Sequence, residues 1–425
     1  MKFFQFGCWN QLKEKKSMCD NRNPTNPLSQ VMKTLAEKTL EESPDFIIVS
    51  GDNYYSEKPE AVVKKKIIHQ DQLISGIHCL PKNVEINMIL GNHDLETQTK
   101  KGNLFVSVAD NVSVADNVSA ADVADVADVA DAADAADAEA EKKEDGTCFI
   151  LRSELANLPP NIKYDFFISK YDELSQTLIL MLDTSMYDTD DNMSMLPCYQ
   201  YIIDGRKYSI AELIEKQRKK VIEEINKYKF NKLIISGHHP IYSYKLKYTS
   251  EKKKYEVVEG FPLFIELLIE INRIINNPAM NYYYLCADLH LYQKGKVILD
   301  DGKMVINQFI SGTGGTELDP NPFDPKYADA KGRMHNQEAG VIANMDKDKY
   351  LMTAEDVRDS NENYGYGFLQ VEIIGGGGGG EEPHFNFIKS AQQVSGGRKT
   401  TKKRKTNKKK KRRKTNKKKR KNGRH

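Results

Sequence analysis

Asp45-Phe-Ile-Ile-Val-Ser-Gly-Asp52 is the stretch that decides the fold. Its short apolar run reads as a buried strand that delivers Gly51-Asp52 at its C-terminal end. Upstream, residues 3 to 8 read as another strand. Asn26 to Leu40 reads as a helix: Asn26 supplies a cap, Pro27 suits the first helical position, and Leu28, Val31, Met32 and Leu35 share one face. Ser43-Pro44 ends that helix. Downstream the alternation continues with strands at Ile86 to Leu90 and Thr177 to Leu182, then a helix opened by a Ser209/Glu212 capping box. A strand at Leu233 to Ser236, a helix at Leu263 to Ile275 and a strand at Asn281 to Cys286 follow. Strand alternating with helix makes this an α/β chain.

Charge divides the sequence. The 425 residues carry 63 basic and 60 acidic side chains, but 19 of the basic ones lie between Arg398 and Arg424 without an acidic neighbour. The rest of the chain is therefore acidic, with 44 basic against 60 acidic groups. We expect one large domain over 1–390 and a disordered Lys/Arg-rich tail over 391–425. Two low-complexity additions interrupt the domain. Residues 106–145 hold a Val-Ala-Asp repeat whose period of three drifts against the helical 3.6, which implies disorder or a frayed helix. Gly375 to Gly380 falls between strand-like runs at Gly367 to Ile374 and His384 to Ile388, and reads as an enlarged hairpin turn. No apolar run reaches the ~18–20 residues of a membrane span, and the apolar start of the chain is too short for a secretory signal. Six scattered cysteines point to a reducing, intracellular setting, cytoplasmic or nuclear.

Four clusters carry the chemistry: Gly51-Asp-Asn-Tyr-Tyr55, Gly91-Asn-His-Asp94, Gly237-His-His-Pro240 and Cys286-Ala-Asp-Leu-His290. Each follows a strand, where sheet proteins of this type bind ligands. Each supplies Asp, Asn, His or Tyr, the donors that hard and borderline metal ions prefer. One such cluster would be an ordinary turn, and the histidines outside them read as packed or surface residues. Four in succession point to a metal site.

In order and spacing these blocks resemble the calcineurin-like metallophosphoesterases, and among them the purple (tartrate-resistant) acid phosphatases. Gly51-Asp-Asn-Tyr-Tyr55 matches the G-D-x-x-Y pattern, Gly-Asn-His-Asp matches in full, and Gly-His-His-Pro matches G-H-x-P. Ser311-Gly-Thr-Gly-Gly315 resembles the Gly-rich segment beyond the last block, and the likeness runs from Phe3 to about Pro320. It implies two mixed β-sheets packed face to face and flanked by helices. It also implies hydrolysis of phosphate monoesters, on a small molecule or a phosphoprotein, by a hydroxide activated between two metal ions. Asp52 would bridge them. Tyr55 and His290 would hold ferric iron, Asn92 and His238 a divalent ion (Fe, Zn or Mn), and His93 would serve the leaving alkoxide. His239 is a candidate substrate contact, as are Tyr242 and Tyr244, with solvated or packed loop residues the equal alternative for all three.

Two positions depart from that pattern. Cys8 stands where the family has its first carboxylate, and Asp288 where it has a second-metal His. A thiolate suits zinc or iron and a carboxylate suits manganese, magnesium or iron; alternatively, Cys8 is only a buried thiol closing the first strand. The substitutions add an anionic ligand, which would weaken the pull on phosphate. The rival expectation is thus a catalytically impaired phosphoesterase-like module that binds nucleic acid or another polyanion through residues 398–424. The tail also reads as a nuclear address or a partner for the acidic insert, and its Lys-Thr-Asn-Lys style resembles tails on proteins of large DNA viruses.

Overall fold

The computed structural model describes residues 1–10, 27–53, 55, 76–77, 79–95, 158–188, 208–248, 253–322, 349–375 and 381–390. The Val-Ala-Asp insert, glycines 376–380 and the basic tail lie outside the described residues.

Two mixed sheets form the body. The first has the order β15-β14-β1-β2-β3-β4. Its parallel strands are β1 (Lys2–Phe6), β2 (Phe46–Ser50), β3 (Glu85–Ile89) and β4 (Ile162–Tyr164). β14 (Gly367–Glu372) and β15 (His384–Lys389) pair antiparallel as a hairpin, and β14 adds it to the sheet against β1. The second sheet runs β13-β11-β12-β10-β7-β6-β5. Its parallel centre is β6 (Thr177–Leu182), β7 (Lys232–Ser236), β10 (Asn281–Cys286) and β12 (Met304–Ser311). β5 (Phe167–Asp172), β11 (Tyr292–Leu299) and β13 (Tyr350–Leu351) are its antiparallel members. A separate ribbon pairs β8 (Tyr242–Tyr248) with β9 (Lys253–Glu259).

The unbroken apolar runs are explained by burial on both faces of each sheet. Phe3, Phe46, Ile48 and Ile89 from one sheet meet Ile179, Met181, Ile234 and Leu285 from the other. The alternate residues Phe4, Phe6, Ile47 and Val49 face outward onto α1 (Pro27–Glu42), where Leu28, Val31, Met32 and Leu35 form the buried stripe. Across the molecule Leu178, Leu180, Leu233 and Ile235 pack toward α3 (Ile210–Lys227) and α4 (Pro262–Ile275). The helix α1 closes on Ser43, which adopts a left-handed φ of 48° and donates to Thr39 O at 3.1 Å. The Ser209/Glu212 capping box opens α3 as its sequence implies.

Two expectations change. Tyr242 and Tyr244 are buried in the hydrophobic core, and Tyr244 donates to Tyr350 O. For these two the packed alternative is the one the fold adopts. Cys79 is disulfide-bonded. Cysteine usage therefore does not carry the reducing-compartment reading. No helix among the described residues is long and apolar enough to cross a membrane.

The packing sets a ranking for stability. Ile234→Ala empties a fully buried position between the sheets, with an expected loss of about 2–5 kcal/mol. Ser209→Ala removes only an exposed cap and should lose about 1 kcal/mol. Urea unfolding of the two variants checks the order, and equal losses would contradict this account of the core.

Candidate metal centre

The central strands of both sheets end along one edge, and the chain turns sharply after each. After β1, β2 and β10 come Cys8, Asp52 and Asp288, with left-handed φ values of 53°, 54° and 54°. Such backbone is uncommon for residues other than glycine and strained by about 1–3 kcal/mol each. The neighbouring turns hold it in place. Cys8 N donates to Gly51 O, Trp9 N to Asp52 O, and Thr316 N to Cys8 O, at 3.1, 3.4 and 3.1 Å. Gly51 and Gly91 admit the close approach of β2 and β3: a Cβ at Gly91 would meet Asp52 N at 2.3 Å and Asp52 Oδ1 at 2.4 Å. Past β3, α2 (Asn92–Leu95) makes one turn. Its Asp94 accepts from Gly91 N, Asn53 N and Asn53 Nδ2 at 2.7–2.8 Å, tying the two turns together.

Asp52 lies at the middle, 1% exposed. Its two carboxylate oxygens have separate company. Oδ2 accepts from the Tyr55 hydroxyl at 2.9 Å and from the Cys8 thiol at 3.8 Å. Tyr55 in turn lies 3.4 Å from His290 Nε2. Oδ1 lies 3.2 Å from His238 Nε2, which is also 3.1 Å from Asn92 Oδ1 and 4.0 Å from Asp288 Oδ1. The His93 backbone N–H donates to the same Oδ1 at 3.1 Å, and its ring packs on Tyr55 with centroids 4.6 Å apart. Every residue singled out in the four clusters and Cys8 thus joins one network.

Backbone carbonyls orient both outer imidazoles. His238 Nδ1 donates to Ser50 O at 2.8 Å, and His290 Nδ1 to Glu317 O at 2.9 Å. Each ring is left with Nε2 toward the cluster, the arrangement of a metal-ligating histidine. The electrostatics are those of acidic groups crowded together out of water. Burial pushes the Cys8 thiol and the Tyr55 phenol up, reinforced by the Asp52 carboxylate beside them. Burial also opposes the charge on Asp52, but the His238 imidazolium outweighs it and holds the carboxyl well below its usual range. Burial disfavours the charged form of His238, yet Asp52 and then Asp288 raise it to about 9. Oxygen, nitrogen and sulfur donors gathered round one carboxylate, with Cys8, Asp52 and His238 offering ligand atoms within 4.8 Å of one another, suit the binding of metal cations.

The calcineurin-like phosphoesterase family model matches residues 1–292, a span that takes in every candidate from Cys8 to His290. The chain belongs to that family. Among solved structures, this phosphoesterase is similar to GAP50, the anchor in the inner membrane complex of Plasmodium, at 12% identity over 92% of this chain and 90% of that one, with a TM-score of 0.38. It is also similar to purple acid phosphatase PPD1 from yellow lupin (Lupinus luteus) seeds, at 13% identity over 92% and 51% of the two chains, TM-score 0.42. PhoD is a third, at 10% identity over 92% and 70%, TM-score 0.42. The chain thus spans about half the length of the lupin enzyme. A comparison with curated proteins finds no match. None of these likenesses transfers an activity; the family match supports a hydrolase of phosphate esters.

The phosphoesterase also uses residues that the sequence reading passed over. Thr184, just beyond β6, accepts from both His238 N and His239 N at 3.0 Å. Asp183-Thr184-Ser185 is a polar run at a strand end, so the rule that found the other clusters applies to it equally. Ser50 and Glu317 act through carbonyl oxygens, which no residue identity advertises.

The charge balance predicts a pH dependence. The folded-state His238 value is raised above its unfolded one, so its stabilisation of metal-free protein is complete below about 6.5 and is lost as pH rises through about 9. A cation held by His238 and Cys8 would displace that proton and the one on Cys8. Thermal melts of metal-free protein should therefore fall in midpoint between neutral pH and pH above 9. Zinc titration calorimetry in buffers of differing ionisation enthalpy should show protons released near neutral pH. Zinc uptake with no proton release would contradict the arrangement.

Proposed function

We propose that this phosphoesterase hydrolyses phosphate monoesters at a two-ion centre bridged by Asp52. The observation that carries the reading is the division of donors between the two oxygens of that carboxylate. Cys8, Tyr55 and His290 gather on the Oδ2 side, and Asn92, His238 and Asp288 on the Oδ1 side. We assign the first group to ferric iron and the second to divalent Fe, Zn or Mn, following the phenol and thiol on one side and the imidazole, amide and carboxylate on the other. Bound there, the ions would polarise phosphoryl oxygens and lower the pKa of a bound water.

The chain's own groups do the rest. Asp52 and its neighbours fix the spacing and supply compensating charge. His93, half-buried and packed on Tyr55, is placed to give a proton to the leaving alkoxide. Both departures from the family pattern turn toward the cluster, Cys8 to Asp52 and Asp288 to His238. This favours working ligands over the impaired-module reading.

Metal-loaded protein should hydrolyse 4-nitrophenyl phosphate and hold about two ions per chain by elemental analysis. Asp52→Asn should abolish turnover and lower the metal content, and Tyr55→Phe should remove a visible absorption band of the iron-loaded protein. Restoring the family residues, Cys8→Asp with Asp288→His, separates the two readings. A loss of turnover marks the native residues as working ligands, and a large gain marks the native site as impaired.

We also assign polyanion binding to residues 398–424, whose 19 basic side chains lack any acidic partner in that run. Counterion release makes such binding steeply salt-dependent and indifferent to sequence. Duplex DNA retention should weaken by orders of magnitude between about 50 and 200 mM salt, and deletion of 398–425 should abolish it while sparing phosphatase turnover.

A further inference from the structure

Thr184 is fully buried beside the candidate centre, and three polar contacts with the His238–His239 pair meet at its oxygen, with the Tyr284 hydroxyl beside them. It accepts from the backbone N–H groups of His238 and His239, both at 3.0 Å. The third contact, also 3.0 Å, is with the ring nitrogen Nδ1 of His239. A hydroxyl offers two lone pairs and one hydrogen. With both lone pairs engaged, its hydrogen is left for Nδ1 or for the neighbouring Tyr284 hydroxyl, and the 3.0 Å contact with Nδ1 is a hydrogen bond only in the first case. A neutral imidazole that accepts at Nδ1 carries its proton on Nε2. The ring is held from two sides, edge-on to Phe261 at 4.8 Å and to His238 at 4.7 Å between centroids. The Tyr284 hydroxyl, meanwhile, donates to His239 O at 2.6 Å. His239 is half-buried, so part of it faces the mouth of the site. One of its ring nitrogens lies with one from His238 and a carboxylate oxygen of Asp288, all within 4.8 Å of one another.

We propose that Thr184 locks His239 in the Nε2–H form and that this N–H is a donor to a phosphoryl oxygen of the bound ester, on the Asn92/His238/Asp288 side. His239 is then a substrate-contacting residue and not a third imidazole ligand, and Thr184 is its positioning residue. The proposal rests on the phosphoesterase reading above. Its chemistry is that of a fixed neutral donor. Such a group stabilises charge on the phosphoryl oxygens without adding a proton that must be managed during turnover.

Two-bond proton–nitrogen correlation spectra of nitrogen-15 histidine-labelled protein should place the His239 proton on Nε2. In zinc-reconstituted protein, His239→Ala should lower kcat for 4-nitrophenyl phosphate roughly 10²-fold, with metal content unchanged and KM less affected. His239→Gln, which retains a side-chain N–H, should restore most of the loss. Thr184→Val should lower kcat by roughly tenfold or more, and Thr184→Ser should recover it. A proton on Nδ1, loss of metal from His239→Ala, or unaltered kinetics in His239→Ala would each overturn the proposal. Inactive wild-type protein would instead overturn the phosphoesterase reading. Orthophosphate affinity then decides the donor by itself: weaker binding in His239→Ala and Thr184→Val supports it, and unchanged binding refutes it.

Discussion

The architecture of this site depends on one carboxylate kept out of water. A side chain ionised at 1% exposure is tolerable only among groups that return what hydration would have supplied. Asp52 receives the Tyr55 hydroxyl, the Cys8 thiol, the His93 backbone N–H and the His238 imidazole. Those partners come from the turns after β1, β2, β3 and β7, strands of both sheets. The carboxylate is thus a reason for the two sheets to meet in one register at this edge, as the interleaved Phe3, Ile48, Ile179 and Ile234 are in the core.

Holding that register has required unusual backbone. Cys8, Asp52 and Asp288 all leave their strands through left-handed conformations, and Gly91 sits where any Cβ would strike Asp52. Asp enters this region more readily than most residues, because its short polar side chain can bond locally. Cys has no such help. At Cys8 the strain is met by main-chain bonds to Gly51 and Thr316 and by complete burial of the thiol. Three strained residues at one sheet edge, the central carboxylate among them, are the pattern expected where geometry serves chemistry more than stability.

Much of this was legible because the strongest sequence signals and the strongest structural constraints coincide. Thr177–Leu182 and Asn281–Cys286 are strands with the bounds their apolar runs imply, since strands covered on both faces leave little room for polar residues. The Ser209 cap was readable because it is made by side chains. The β14–β15 hairpin was legible too, but the antiparallel members of the second sheet, with β4 and β12, escaped notice. In β11 the sequence Tyr-Gln-Lys-Gly-Lys-Val-Ile-Leu mixes polar and apolar residues, and its pairing with β12 is fixed by partners elsewhere in the chain. Tyr242 and Tyr244 looked available because they follow a metal-type block; the β8–β9 ribbon, which folds them into the core, is a long-range feature. The carbonyls of Ser50 and Glu317, which orient His238 and His290, have no signature at all.

Burial divides the site into a floor and a rim, and the division bears on the exchanged residues. Cys8, Asp52, Tyr55 and His238 are buried, whereas Asn92, His93, His239, Asp288 and His290 are half-buried. Acidic groups dominate the floor, with Asp52 ionised and the Cys8 thiol and Tyr55 phenol held protonated beside it, and the imidazoles of His93, His239 and His290 sit on the rim. The two departures from the family pattern therefore differ in consequence. At position 8 the thiol is sealed from solvent, so its effect on chemistry passes through whatever it holds beneath the substrate. At position 288 the carboxylate stands 31% exposed, so on the proposed reading any charge that a cation leaves uncompensated there would act on a phosphate directly. A neutral donor such as His239, set beside that carboxylate, is then better placed than a second anion or a labile proton to reconcile a phosphate with the mouth of the site.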